Sequence, residues 1–104
     1  MTTYFVTRHA GALKWANLKK LQFDVHLLHL SNFDQLQAND IIIGTLPINI
    51  VYELNRRAVR YVHLSLDIPA ELRGTELTAE QLDMCKAQLE EFTVQKQLFS
   101  LADA

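Results

Sequence analysis

The chain has 104 residues, 49% of them hydrophobic and 21% charged, which supplies the apolar material for one core at a common single-domain size. Ten Lys and Arg against twelve Asp and Glu give a net charge of -2. That balance argues against the basic footprint used to grip long nucleic acid, while leaving room for a small anion held by a local cluster.

In chain order, residues 3–8 read as a first strand. Arg8 arrives too early, and no basic segment precedes it, so a secretory signal is not expected. The polar group Thr7, Arg8 and His9 closes this strand, followed by Gly11 and a helical pattern with Leu13, Ala16 and Leu21 on its inner stripe. This places a hydroxyl, a fixed cation and an imidazole at a strand's carboxyl end, where open α/β sheets bind ligands. The N–H groups of the opening helix suit an anion at the same spot. Residues 23–30 form a second apolar run, and residues 40–44 read as a fully buried parallel strand.

The turn Gly44-Thr45-Leu46-Pro47 then leads into a helix with Ile48, Val51, Leu54 and Ala58 at helical spacing. It resembles a shortened phosphate cradle but lacks the spacing and the lysine of a P-loop. Residues 60–66 alternate as a fourth strand, with Tyr61, His63 and Ser65 on one face and Val62, Leu64 and Leu66 on the other. A loop over 67–77 carries Arg73 and Gly74, and Thr78-Ala-Glu-Gln81 is a capping box. Leu82, Cys85, Leu89 and Phe92 follow as the stripe of a final helix, which assigns Cys85 to the core. The tail after Gln97 either frays or places Leu98, Phe99 and Leu101 over a subunit interface. The lone cysteine excludes an intrachain disulfide and fits a cytoplasmic protein. The most apolar stretch, residues 41–52, is broken by Gly44, Thr45, Pro47 and Asn49 and is too short to span a membrane.

Alternating strands and helices predict one α/β domain over 1–104, a Rossmann-like three-layer sandwich with a mainly parallel four-stranded sheet. The loops around Thr7–Gly11, Gly44–Pro47 and Ser65–Gly74 would converge at one edge. If the first strand lies beside the third, the crevice falls between the first two of these loops.

Arg-His-Gly after a first strand also marks histidine phosphatases. Here Ala10 separates His9 from Gly11, and the chain is short for that fold's further helices and second histidine. His26 and His29 point to opposite faces if both lie on a strand, and with one cysteine they form no zinc framework, so no metal is expected.

Three segments together, residues 3–12 (TYFVTRHAGA), 43–47 (IGTLP) and 63–78 (HLSLDIPAELRGTELT), carry a family resemblance over nearly the whole chain. The chain resembles the small stand-alone CRISPR-associated accessory proteins of type III systems, the Csx-sixteen type. The resemblance implies a metal-independent ring nuclease, without cofactor, acting as a homodimer. Such a protein binds cyclic oligoadenylate and cleaves it, which switches off type III antiviral signalling. Arg8, His9 and Thr7 are then the expected catalytic residues. Gly11, Gly44, Thr45, Leu46, Pro47, Ser65 and Arg73 are the expected ligand-binding ones. The alternative is a sensor or sponge that binds the cyclic nucleotide without cleaving it.

Overall fold

The computed structural model describes residues 1–104. Strand β1 (Thr3–Val6) leads into helix α1 (Ala10–Leu18). Strands β2 (Val25–Leu27) and β3 (Ile41–Gly44) follow, then helix α2 (Ile48–Arg56) and strand β4 (Arg60–Ser65). A 3-10 turn at Ala70–Leu72 precedes helix α3 (Ala79–Met84) and strand β5 (Gln88–Phe92). The sheet order is β2-β1-β3-β4-β5. The first four strands are parallel, and β5 is antiparallel to β4.

Alternation along the strands divides the core between the two sheet faces. Phe5, Ile43 and Leu64 meet Ala12, Trp15 and Ala16 of α1 with Ala79 and Leu82 of α3. Tyr4, Val6, Ile42 and Tyr61 meet Val51 and Leu54 of α2 on the other face. Covered on both sides, β1 and β3 have the unbroken apolar runs read from the sequence. At the amino end of the sheet the buried Asp40 carboxylate accepts N–H bonds from Thr2 and Gln37, each at 2.9 Å, which ties the chain start to β3.

The sheet has five strands where four were expected, because the last apolar stripe divides between two elements. Thr78 and Gln81 form the expected capping box, at 3.1 and 2.9 Å. The helix then ends after six residues. Lys86 turns left-handed (φ 59), its N–H bonds to Asp83 O and the Ala87 N–H to Leu82 O, both at 3.0 Å. That is a Schellman stop, built on lysine instead of glycine. Leu82 and Cys85 stay on the helix, while Leu89 crosses to β5 opposite Leu64. A two-pronged Arg60–Glu91 ion pair, at 2.9 and 2.8 Å, fastens the new strand. Helices α1 and α2 end the same way on Lys20 (φ 58) and Ala58 (φ 62).

Two further boundaries differ. The second strand is confined to Val25–Leu27, so His29 lies beyond it. Gly11 sits inside the first turn of α1, whose N-cap is His9.

Candidate functional site

Because β1 lies beside β3, with α1 on one face and α2 on the other, the carboxyl ends of these two strands form the point where the sheet order reverses. Ligands of open α/β sheets sit at such points. Thr7 fixes the start of the β1–α1 loop. Its N–H donates to Leu27 O at 2.9 Å, its carbonyl lies 2.9 Å from His26 Nε2, and its Oγ1 accepts the His9 N–H at 3.1 Å. The loop then exposes Arg8 and His9 as a ridge. Arg8 has no carboxylate partner, whereas His9 Nδ1 lies 2.7 Å from Glu76 Oε1. Both members of that pair are more than half exposed, so the bridge is worth at most about 1 kcal/mol and yields readily to a ligand. While it holds, it directs Nδ1–H at Glu76 and leaves Nε2 as the nitrogen that takes or gives a proton, the arrangement of an oriented general base.

Three concavities meet along this ridge. A cavity of about 280 Å³ is lined by Thr7, His9, Gly44, Thr45 and Thr75 above apolar walls. A groove of about 390 Å³ runs past Arg8, His9, His29, Thr45 and Leu46. A third, of about 530 Å³, holds Arg8, Gly11, Lys14 and Glu76. No acidic residue stands in the first turn of α1, so its N–H groups, Arg8 and Lys14 offer anion contacts on one side of a groove whose other side carries Glu76 and Glu80.

The Gly44-Thr45-Leu46 turn is held from the α2 face. The buried Tyr61 hydroxyl donates to Gly44 O at 3.0 Å and accepts the Leu46 N–H at 2.9 Å. With that proton committed, the 2.6 Å contact to His63 Nδ1 requires the imidazole to donate. Burial raises the Tyr61 pKa, partly offset by the Leu46 N–H, so the hydroxyl stays protonated and the clamp intact. The clamp leaves the Thr45 side chain exposed and without a hydrogen-bond partner in the protein.

A family model described as "Putative CRISPR-associated protein (Cas_VVA1548)" matches residues 4–95. The chain belongs to this CRISPR-associated family. No curated protein and no solved structure gave a match. The Cas_VVA1548 match takes in every residue of the site and stops before Leu98, Phe99 and Leu101, which are exposed. No helix of this Cas_VVA1548 chain is long and apolar enough to cross a membrane.

Within the Cas_VVA1548 fold, Thr7, Arg8, His9, Gly44, Thr45 and Leu46 come together as the sequence predicts. Gly11 lines the third groove, and packing also explains it: a Cβ there would lie 1.8 Å from Leu77 O. Pro47 is the N-cap of α2. Ser65, paired with Gln88 at the end of β4, lines none of the three concavities, and neither does the exposed Arg73. The sequence reading missed Lys14, Thr75, Glu76 and the Tyr61 clamp. Lys14 was legible as the outward residue one turn into α1. Glu76 carried no local signal, since its partner His9 is 67 residues away.

Proposed function

We propose that this protein is a metal-independent ring nuclease that binds and cleaves cyclic oligoadenylate, cyclic tetra-adenylate first among the rings, and so ends type III CRISPR signalling. The observation that carries the reading is the unpartnered Arg8 beside a Glu76-oriented His9 at the sheet's switch point, in a chain of a CRISPR-associated family. A ribose 2′-oxygen of the ring attacks its neighbouring phosphorus in line. The P–O5′ bond breaks, leaving a 2′,3′-cyclic phosphate and a 5′-hydroxyl. His9 Nε2 takes the 2′-OH proton, and a proton is returned to the departing 5′-oxygen. Arg8 faces the charge that develops on the non-bridging oxygens, and the Thr7 hydroxyl orients ribose and phosphate. Holding the 2′-oxygen in line is itself a large part of the acceleration.

A homodimer fits a cyclic tetranucleotide, because two copies of one site match its symmetry. The tail supports such an assembly: Val94 bonds Asn55 and Lys96 lies over Tyr52, so the chain climbs α2 toward the site end before exposing Leu98, Phe99 and Leu101.

Labelled cyclic tetra-adenylate, incubated with excess protein and EDTA, tests the reading. A linear product with a cyclic-phosphate end is expected. Arg8→Ala should lower the single-turnover rate by about 10²–10³-fold, far more than His63→Ala. Tight binding with an intact ring would make the protein a sensor, and equal rates for wild type and Arg8→Ala would remove Arg8 from the mechanism.

A further inference from the structure

The 280 Å³ cavity bordered by His9 and Thr75 is not accounted for by phosphate chemistry. Its walls are apolar, formed by Phe5, Leu64, Leu66, Ile68, Leu77 and Leu82, and its polar lining comes from Thr7, His9, Thr45 and Thr75. Phosphate and ribose would lose hydration against such walls without regaining it. Its size is at the lower limit of small-molecule sites, which start at about 300 Å³. It therefore suits a flat heterocycle better than a whole nucleotide.

The hydroxyls give the cavity a hydrogen-bonding sense. Thr75 Oγ1 donates to Leu72 O at 2.6 Å, so its single proton is committed and only lone pairs remain for a ligand. Thr45 Oγ1 has no partner in the protein and is free to donate. An acceptor at Thr75 and a donor at Thr45 match the exocyclic amine and ring nitrogens along one edge of adenine. Guanine and hypoxanthine carry a carbonyl where adenine has its amine, and would set that oxygen against the Thr75 lone pairs.

We propose that this cavity is an adenine-selective base pocket, with Thr75 as the residue that selects the exocyclic amine. The inference rests on the ring-nuclease reading for its ligand and adds to it the source of base specificity. Arg8, Lys14 and the N-terminus of α1 hold the phosphates outside the pocket, and the His9–Glu76 bridge joins the β1–α1 loop to the loop whose Thr75 and Leu77 line the pocket.

Binding of cyclic tetra-adenylate and of its inosine counterpart is measured for the wild type, Thr75→Val and Ile68→Trp, with circular dichroism as the folding control. Thr75→Val keeps the shape and removes the acceptor. It should weaken the adenylate ring by roughly tenfold and leave the inosine ring nearly unchanged. Ile68→Trp fills the cavity from a loop position and should weaken both rings. Equal affinity of all three folded proteins for cyclic tetra-adenylate would overturn the pocket and leave the nuclease reading standing.

Adenosine monophosphate, titrated while the methyl resonances of Leu66, Ile68 and Leu77 are followed, separates the two ideas in the other direction. Ring-current shifts there without any cleavage of the cyclic ligand support the pocket and refute the nuclease. Absence of such shifts with either nucleotide overturns the pocket.

Discussion

Replacing Gly11 by alanine sets two physical effects against each other. Helix propensity alone favours the change by about 1 kcal/mol. The structure opposes it, because the added methyl would lie 1.8 Å from the Leu77 carbonyl oxygen and 3.0 Å from its carbon. Both are backbone atoms, so no side-chain rotation relieves the contact. Helix α1 or the loop carrying Thr75 and Glu76 must retreat by roughly 1.5 Å to reach ordinary separation. Overpacking costs about 1–3 kcal/mol, and a contact this short between backbone atoms belongs at about 2–3 kcal/mol of that range, which outweighs the propensity gain. We expect Gly11→Ala to be destabilised by about 1–2 kcal/mol, with a melting temperature lower by roughly 5–15 °C. Urea unfolding read by tryptophan fluorescence measures it, Trp15 being the single tryptophan and buried in α1. Gly74→Ala is the contrast: no atom lies within 4 Å of its added methyl, and the residue is left-handed (φ 79). It should lose about 1 kcal/mol from backbone strain alone. A Gly11→Ala protein as stable as the wild type, or more so, would refute the close-packing account of this helix.

The helix stop at Lys86 gives the opposite sign: Lys86→Gly relieves a left-handed lysine and should gain roughly 0.5–1 kcal/mol after glycine's extra unfolded-state entropy, visible as a higher urea midpoint. The acid limb of stability follows from three depressed carboxyls. The Gln37 N–H, then the Thr2 N–H, lower Asp40 against its burial; Lys19 and the Trp15 indole lower Asp83; Arg60 lowers Glu91. Their folded-state pKa values lie below the unfolded ones, so their contribution is complete above the carboxylate range and is lost as pH falls through and below it. Urea midpoints should be flat near neutrality and decline in acid, more shallowly in Asp40→Asn; an identical acid slope in that variant would contradict the role given to Asp40.

Strands β1 and β3 were legible because burial on two faces leaves continuous apolar runs, β4 because its two faces alternate, and the capping box at Thr78 announced α3. The ends of the helices were not legible. All three stop on Lys20, Ala58 and Lys86 in a conformation that favours glycine, and the chain has only three glycines to spend on any purpose. Leu82, Cys85, Leu89 and Phe92 keep a helical spacing across the break, so periodicity carried the last helix through residues that pair with β4. At the site, Thr7–His9 and Gly44–Leu46 were readable because strand ends can be read locally. Thr75, Glu76 and the Tyr61 clamp depend on contacts between distant segments. Ser65 and Arg73 were placed by loop proximity alone, and the structure sets them outside the three concavities.

The Tyr61 clamp separates two duties that a binding turn usually combines. The shape of the Gly44–Leu46 turn is fixed from behind by a hydroxyl bonded to main-chain atoms on either side of Thr45, while the Thr45 side chain itself supports nothing. Position 45 is thus an interchangeable fitting on a rigid mount, where one ligand preference can be exchanged for another with little cost to folding.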